Sequence, residues 1–121
     1  MTVRCDPLLL GTALDNIVRN AMEAAVQAKD LGKVQNPEVH IRAGRRDGEA
    51  FVMVEDNAGG VPEHIVQSLF EPFVTSKPKG IGLGLSMARR ALEQQGGSLA
   101  FERTALGSRF TVRLAFRADA S

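Results

Sequence analysis

A run of alternating glycines places the strongest constraint on this chain, because it leads directly into a helical pattern. The run is Gly80-Ile81-Gly82-Leu83-Gly84. Glycine lets successive backbone N–H groups point inward, and a helix start adds partial positive charge, so this geometry suits phosphate oxygens. The Gly-Lys-Ser/Thr of a Walker A loop is missing, and no strand immediately precedes the run as in a dinucleotide fingerprint. A phosphate-binding loop is the sharper interpretation, and a flexible loop is the alternative.

Two long helical patterns and two hairpins account for most of the remaining chain. Apolar spacings of three and four predict a helix from Pro7 to about Lys29, and a second from Gly84 to a stop at Gly96-Gly97. Alternating residues predict one hairpin over 39–54, turning at 46–49, and another over 98–116. Shorter elements are a strand at 3–5 and a helix at 61–69. We therefore expect an α/β (α+β) two-layer sandwich, with a mixed, largely antiparallel sheet packed on helices.

Composition limits the functional classes. The 121 residues, 44% hydrophobic and 24% charged, suit a single domain over 1–121. A net charge of +1 gives no field that would collect nucleic acid or anionic membrane. The single Cys5 favours a reducing compartment, hence a cytoplasmic location. No segment approaches the roughly 20 apolar residues that cross a bilayer, so we expect no membrane contact by this domain.

Asn16 and Asn20 lie on the predicted first helix, four residues apart. They therefore lie one turn apart on the same helix surface. Two amide oxygens in that position are candidates to hold Mg²⁺, whose other ligands would be phosphates and water. The alternative is a pair of solvated asparagines on an exposed helix face.

Asp56 follows an apolar strand and begins the segment Asp56-Asn57-Ala58-Gly59-Gly60. A carboxylate buried there needs a hydrogen-bond donor, which an adenine amino group could supply. Gly60 has no side chain, so a base could approach the backbone closely. The alternative is an ordinary turn, since these residue types form turns in many contexts.

The segment from Phe70 to Lys79 precedes the glycine run and has no helical or strand periodicity. It combines two phenylalanines, two hydroxyls and two lysines. Such a segment resembles a lid that closes over ATP, with Lys77 or Lys79 reaching the phosphates. A solvated loop with docked phenylalanines is the alternative.

In this order and spacing, the four segments resemble the N, G1, F and G2 boxes of histidine-kinase catalytic domains. These domains lie within the ATPase superfamily shared with gyrase and the mismatch-repair ATPases. The boxes correspond to residues 14–21, 56–60, 69–73 and 80–85, so the resemblance extends over nearly the whole chain. The amino-acid sequences of these boxes are most similar to those of the nitrogen-, dicarboxylate- and oxygen-sensing kinases. The fold implied is the Bergerat-type ATP-binding fold.

The resemblance implies a role for each matching residue. Asn20 and Lys77 would be catalytic, and Asn20 with Asn16 would hold Mg²⁺. Asp56 would accept from the adenine amino group, and Ser108 would reach adenine through water. The full set of implied ATP-binding residues is Asn16, Asn20, Asp56, Gly60, Thr75, Lys77, Gly80, Ile81, Gly82, Leu83, Gly84, Leu85 and Ser108.

Three positions depart from the family pattern. Ala58 stands where the G1 box usually has its first glycine, and Glu23 stands where many relatives have a phosphate-facing lysine. Asn16 stands where gyrase-type relatives place the glutamate that activates water. The third departure favours phosphoryl transfer over hydrolysis.

The function implied is transfer of the γ-phosphoryl group of Mg·ATP to a histidine on a separate dimerisation domain of a two-component sensor kinase. His40 and His64 lack the sequence context of an accepting histidine. The expected partners are that dimerisation domain and a response regulator, and the isolated domain is expected to be monomeric. One alternative, supported by Glu23 and Ala58, is a degenerate nucleotide-binding or regulator-docking module. Another is a serine kinase of the anti-sigma type.

Overall fold

The computed structural model describes residues 7–58 and 84–115 of the chain. The elements in chain order are α1 (Pro7–Asp30), β1 (Val39–Arg46), β2 (Glu49–Asp56), α2 (Gly84–Gln94), β3 (Ser98–Arg103) and β4 (Ser108–Ala115). Each lies where the sequence predicts an element, and β1 and β2 are longer than predicted. The predicted strand at 3–5, the helix at 61–69 and the end of the last strand at Phe116 lie outside the described residues.

The four described strands form one antiparallel sheet in the order β1-β2-β4-β3. β2 therefore pairs with β1 on one side and with β4, from the second hairpin, on the other. In this register Asp56, the last residue of β2, lies opposite Ser108, the first residue of β4. The pairing of two hairpins that are distant in the sequence thus brings two of the predicted site residues together.

One face of the sheet packs on the helices. α1 and α2 contact each other, α1 contacts β2, and α2 contacts β3. The predicted apolar face of α1 is confirmed, because Ile17, Ala21, Ala25 and Ala28 are buried. Small side chains let the backbone of α1 approach the sheet closely. The core cluster consists of Ala13, Ile17, Ala21, Val54, Ala88, Leu92, Leu99, Phe110, Val112 and Leu114.

Two apolar residues differ from the sequence pattern. Met87 fits the apolar spacing of α2 but is 58% exposed, because Ala88 and Leu92 define the buried side of that helix. Ile41 is 55% exposed, although Val54, which lies opposite it on β2, is in the core. β1 is an end strand of the described sheet, so helix α1 covers it less than it covers β2.

The turn of the first hairpin lies where the sequence predicts it. Asp47 and Gly48 both have positive φ, of 53° and 79°. Two consecutive positive φ values are typical of a type I′ turn, whose twist matches that of the flanking strands. This turn sets the register in which Val39 lies opposite Asp56.

The glycine pair after α2 ends the helix as predicted, and each glycine has a separate reason. Gly96 has φ of 77°, and the N–H of Gly97 donates to the carbonyl of Leu92 at 2.8 Å. A Cβ built on Gly97 would lie 2.5 Å from the carbonyl oxygen of Arg113. The first glycine supplies the left-handed stop, and the second lets β4 pass close to the helix end. No helix within the described ranges is long and apolar enough to span a membrane.

Replacing Gly97 by Ala should lower the free energy of unfolding by about 2 kcal/mol, because the new methyl group overlaps the backbone of β4. Gly11→Ala is the matched control, since a Cβ there meets nothing within 4 Å and Gly11 lies inside α1. That variant should gain roughly 0.5–1 kcal/mol from helix propensity. Urea denaturation of the two variants measures both effects. Equal stability of Gly97→Ala and wild type would contradict the close approach.

Candidate nucleotide site

The site is centred on Asp56, at the point where β2 ends against the helical layer. Only 7% of this residue is exposed. The N–H of Ala58 donates to its Oδ1 at 2.9 Å, and the backbone of Ser108 also hydrogen-bonds the carboxyl group. The turn that follows β2 and the first residue of β4 therefore both hold the side chain. The sequence-based expectation that Asp56 is buried and needs donors is confirmed.

The protonation of Asp56 is set by two opposing effects. Burial removes water from the carboxylate and raises its pKa above the ordinary value of 3.8. The hydrogen bonds from the backbone of Ala58 and Ser108 favour the charged form and offset part of this increase. The balance is a raised pKa, so the free protein holds a carboxylate that would gain from a further donor. A ligand amino group is such a donor.

Gly107 is a site residue that the sequence analysis did not single out. A Cβ built on it would lie 2.2 Å from the carbonyl oxygen of Asp56, 2.8 Å from its Oδ1 and 2.9 Å from the N of Ala58. Gly107 is buried, and its N–H donates to Oγ1 of Thr104, while the N–H of Thr104 donates to the carbonyl of Gly107. A glycine before Ser108 is visible in the sequence, but its meaning depends on the pairing of β2 with β4. Only a residue without a side chain fits beside this carboxyl group.

Asn57 was considered only as part of the turn, and the structure gives it a definite role. Its Oδ1 accepts from the N–H of Glu38 at 2.8 Å, and its Nδ2 donates to the carbonyl of Asn36 at 2.9 Å. Its own N–H donates to the carbonyl of Glu38 at 3.3 Å. The amide side chain is thus committed to the chain segment that enters β1. Asn57 therefore fixes the end of β2 next to Asp56.

Asn16 and Asn20 lie on α1, on the polar side next to the buried residues Ile17 and Ala21. Both asparagines are half-buried. Within the part of the chain that the structure describes, neither side-chain amide forms a hydrogen bond. The polar stripe predicted for α1 is confirmed, and helix α1 contacts β2, which ends at Asp56. Two amides without a hydrogen-bond partner among the described residues therefore lie on the helix that contacts the strand of the buried carboxylate.

The start of α2 is the third part of the site. Gly84 is the first residue of an 11-residue helix, so its backbone belongs to the positively polarised helix end. Leu85, which the resemblance assigns to ATP binding, packs its side chain partly against the core. The contribution expected of Leu85 to a ligand is therefore from its backbone. Seven predicted site residues lie outside the described ranges: Gly60, Thr75, Lys77, Gly80, Ile81, Gly82 and Leu83.

Comparison with known proteins gives a consistent result. Residues 5–118 match the family described as histidine kinase-, DNA gyrase B- and HSP90-like ATPases. The chain is 31% identical over 119 residues to nitrogen regulation protein NtrY of Azorhizobium caulinodans, covering 98% of this chain and 15% of NtrY. It is 34% identical over 122 residues to the sensory histidine kinase/phosphatase NtrB of Salmonella typhimurium, covering 93% of this chain and 33% of NtrB. The chain therefore matches a third or less of the length of these relatives.

Solved structures support the same fold. The nucleotide-free catalytic domain of histidine kinase ThkA superposes with a TM-score of 0.79 at 29% identity, covering 94% of this chain and 70% of that domain. A mycobacterial sensor histidine kinase, MprB, superposes with a TM-score of 0.79 at 27% identity, covering 95% of this chain and 75% of the MprB chain. The predicted arrangement of helices on a largely antiparallel sheet is confirmed.

Replacing Asp56 by Asn should make the protein progressively more stable relative to wild type as pH rises from about 4. An Asp in an unfolded chain has a pKa of about 3.9, and burial raises the pKa of Asp56 in the folded protein. The folded state therefore binds this proton more tightly, and the wild type loses that contribution as pH rises through the folded pKa. Asparagine does not ionise, so position 56 of the variant makes no pH-dependent contribution to the free energy of unfolding over the same interval.

Urea denaturation at a series of pH values measures this difference. Asp30→Asn, which replaces an exposed carboxylate at the end of α1, is the control. A difference between Asp56→Asn and wild type that stays constant or shrinks with rising pH would contradict a raised pKa.

Proposed function

Because this chain belongs to the family of histidine kinase-, DNA gyrase B- and HSP90-like ATPases, we propose that it is the catalytic domain of a sensor histidine kinase. In this proposal it binds Mg·ATP and transfers the γ-phosphoryl group to a histidine on a separate dimerisation domain. The observation that carries the proposal is the buried carboxyl of Asp56, held by backbone donors on two sides. The histidine-kinase resemblance of the sequence boxes agrees with the relatives NtrY and NtrB.

Asp56 is the proposed contact for an adenine ring. An ionised carboxylate has about four lone-pair positions, and the backbone of Ala58 and Ser108 occupies two of them. The remaining positions can accept from an exocyclic amino group. Guanine has a carbonyl oxygen at the corresponding ring position, and this oxygen would meet the carboxylate as a second acceptor. The proposed role of Asp56 is therefore both binding of adenine and rejection of guanine.

Asn20 and Asn16 are the proposed protein ligands for Mg²⁺. Amide oxygens are hard ligands, and Mg²⁺ usually takes only one or two protein oxygens beside phosphate and water. The absence of an internal hydrogen bond for either amide, within the described residues, supports this role. The ion would neutralise charge on the phosphates during transfer.

Phosphate binding is assigned to the start of α2 and to the glycine run before it. The N–H groups at a helix start have no partner within the helix, and the helix dipole favours an anion there. Gly84 belongs to this helix start. The resemblance adds Gly80, Gly82 and the lid residues Thr75 and Lys77. These assignments rest on the sequence alone.

Transfer of the phosphoryl group to a histidine requires no catalytic base from this chain. An imidazole is largely neutral near pH 7 and can attack phosphorus without a separate base. Asn16 occupies the position of the glutamate that activates water in gyrase-type relatives, and an amide cannot act as a base. The acceptor domain and a response regulator are the proposed partners, because the relatives matched are several times longer than this chain.

Ala58 gives little support to a degenerate module. It replaces a glycine of the family pattern, but its N–H still donates to Asp56 at 2.9 Å. The hydrogen bond that holds the carboxylate is thus retained after the substitution. A serine-kinase function would share the same nucleotide site and differ only in its acceptor.

Asp56→Asn should weaken ATP binding by roughly 10- to 100-fold, because a hydrogen bond to a charged group contributes about 1.5–3 kcal/mol. GTP should bind weakly to the wild type and should not lose affinity in the variant. Isothermal titration calorimetry with both nucleotides in Mg²⁺ buffer measures the four affinities, and Asp30→Asn is the control. Equal affinity of the wild type for ATP and GTP would remove the proposed role of Asp56.

Asn20→Ala should abolish phosphoryl transfer without unfolding the protein, because the side chain lies on the polar stripe of α1 outside the core. The assay mixes the chain with labelled ATP and the dimerisation domain of its own kinase, and follows acid-labile phosphohistidine. Gln27→Ala, on the same stripe but exposed, is the matched control. Circular dichroism checks that both variants are folded. Normal transfer by Asn20→Ala would exclude the metal role, and acid-stable phosphoserine would indicate a serine kinase.

A further inference from the structure

The face of the sheet that points away from the helices has two ends with different charge properties. Side chains alternate between faces along a strand, so the neighbours of the buried core residues on each strand belong to this second face, which we call the open face. Its residues come from all four described strands. No function assigned above uses them.

At the Asp56 end, the arginine of the open face is already paired with carboxylates. His40, Glu55, Arg109 and Glu102 lie in one row across the four strands. Nη1 of Arg109 lies 2.7 Å from Glu102, and its Nε lies 3.3 Å from Glu55. Nε2 of His40 lies 2.9 Å from the carboxylate of Glu38. This row therefore holds two carboxylates against one guanidinium, and it has no excess positive charge to offer to an acidic partner.

At the hairpin end, the open face carries arginines that are not compensated. Arg42 on β1 and Arg113 on β4 lie on either side of β2, and Arg46 lies four residues beyond Arg42 on the same face of β1. All three are exposed. Within the described residues none has an ion pair shorter than 4.0 Å, and the only acidic side chain of the open face at this end is Glu49. Three cations against one carboxylate leave a local excess of positive charge.

Between these arginines the open face is apolar. Phe51 and Met53 on β2 are half-buried, with Phe51 opposite Gly44 and Arg113, and Met53 opposite Arg42. A Cβ built on Gly44 would lie 2.9 Å from Cζ of Phe51, so the phenylalanine ring leans across β1 above that glycine. The ring therefore covers the sheet and does not project from it. The result is a shallow apolar surface bordered by guanidinium groups.

We propose that this patch, formed by Arg42, Phe51, Met53 and Arg113 with Arg46 at its border, docks an acidic protein segment that also carries apolar side chains. Guanidinium groups bind carboxylates in a two-pronged geometry, and an apolar centre between them requires apolar side chains on the partner. Aromatic residues, methionine and arginine are also the residue types that are enriched in protein interfaces.

Nucleic acid and membrane fit the patch less well. Nucleic-acid binding draws on many phosphate contacts, whereas the patch has three cations and the whole chain has a net charge of +1. Insertion into a bilayer surface requires apolar side chains that project into it. Phe51 instead lies over Gly44, within the surface of the sheet.

The occupant would leave the nucleotide site accessible. Asp56 belongs to the helix-facing side of β2, because it alternates with Glu55 and shares a face with Val54. It also lies at the opposite end of the strand from Phe51. Docking on this patch and binding of nucleotide therefore involve different surfaces, and each can be lost without the other.

Titration of the ¹⁵N-labelled chain with a short peptide of alternating Glu and Leu tests the proposal. Amide shifts should concentrate on residues 42–46, 49–53 and 111–114, and affinity should fall with added salt. A peptide with Gln in place of every Glu tests whether binding requires the carboxylates of the peptide. Polyglutamate without leucine tests for the apolar contribution. Both should bind at least about tenfold more weakly than the first peptide.

The double variant Arg42→Glu, Arg113→Glu should bind the Glu-Leu peptide with an affinity more than tenfold lower, while its melting temperature and its affinity for ATP stay the same. Arg45→Glu is the matched control, because Arg45 is exposed on the same strand but alternates onto the other face. Shifts outside the patch, equal binding of the Gln peptide, or equal loss in Arg45→Glu would overturn the proposal. Tighter binding of a DNA duplex or of phosphatidylserine vesicles than of the Glu-Leu peptide would also overturn it.

Discussion

The interaction on which the site depends is the pairing of the end of β2 with the start of β4. It places the carboxyl of Asp56 beside the backbone of Ser108 and beside Gly107, where a side chain would overlap Asp56 itself. Burial raises the pKa of this carboxyl, so the free protein carries an electrostatic cost at neutral pH. A bound amino group would relieve that cost, which is how a destabilising feature of the free protein becomes selective binding energy.

The helical layer makes this arrangement possible through its small residues. Ala13, Ala21 and Ile17 of α1 are buried against the core, and close approach of their backbone to the sheet leaves Asn16 and Asn20 half-buried at its margin. A larger side chain at either alanine would move the helix away and carry both amides with it. Packing of the core and position of the polar amides are therefore set by the same helix face.

The two faces of the sheet divide the work of the domain. The helix-facing side holds the core and, at one end, Asp56. The other side carries Arg109 paired with two carboxylates near the Asp56 end, and arginines without ion pairs among the described residues around Phe51 and Met53 near the hairpin turn. Because β2 contributes to both faces, its alternating residues link the proposed nucleotide site on one side with the proposed docking patch on the other.

The described helices and strands, the place of the first hairpin turn and the helix stop at Gly96 could be predicted from the sequence, because they follow from apolar periodicity and from the position of glycines. It also indicated a buried Asp56 and an amide pair on α1, since a carboxylate after an apolar strand and two asparagines one turn apart are local patterns. The contacts of Gly107 and Asn57, the shared face of the arginines and the exposure of Met87 could be read only from the tertiary structure. Each of these depends on which strand or helix lies beside the residue. Gly107 contacts Asp56, and Asn57 contacts Asn36, although the two residues of each pair are distant in the chain. Strand pairing brings them together, and local residue patterns do not encode which strands pair.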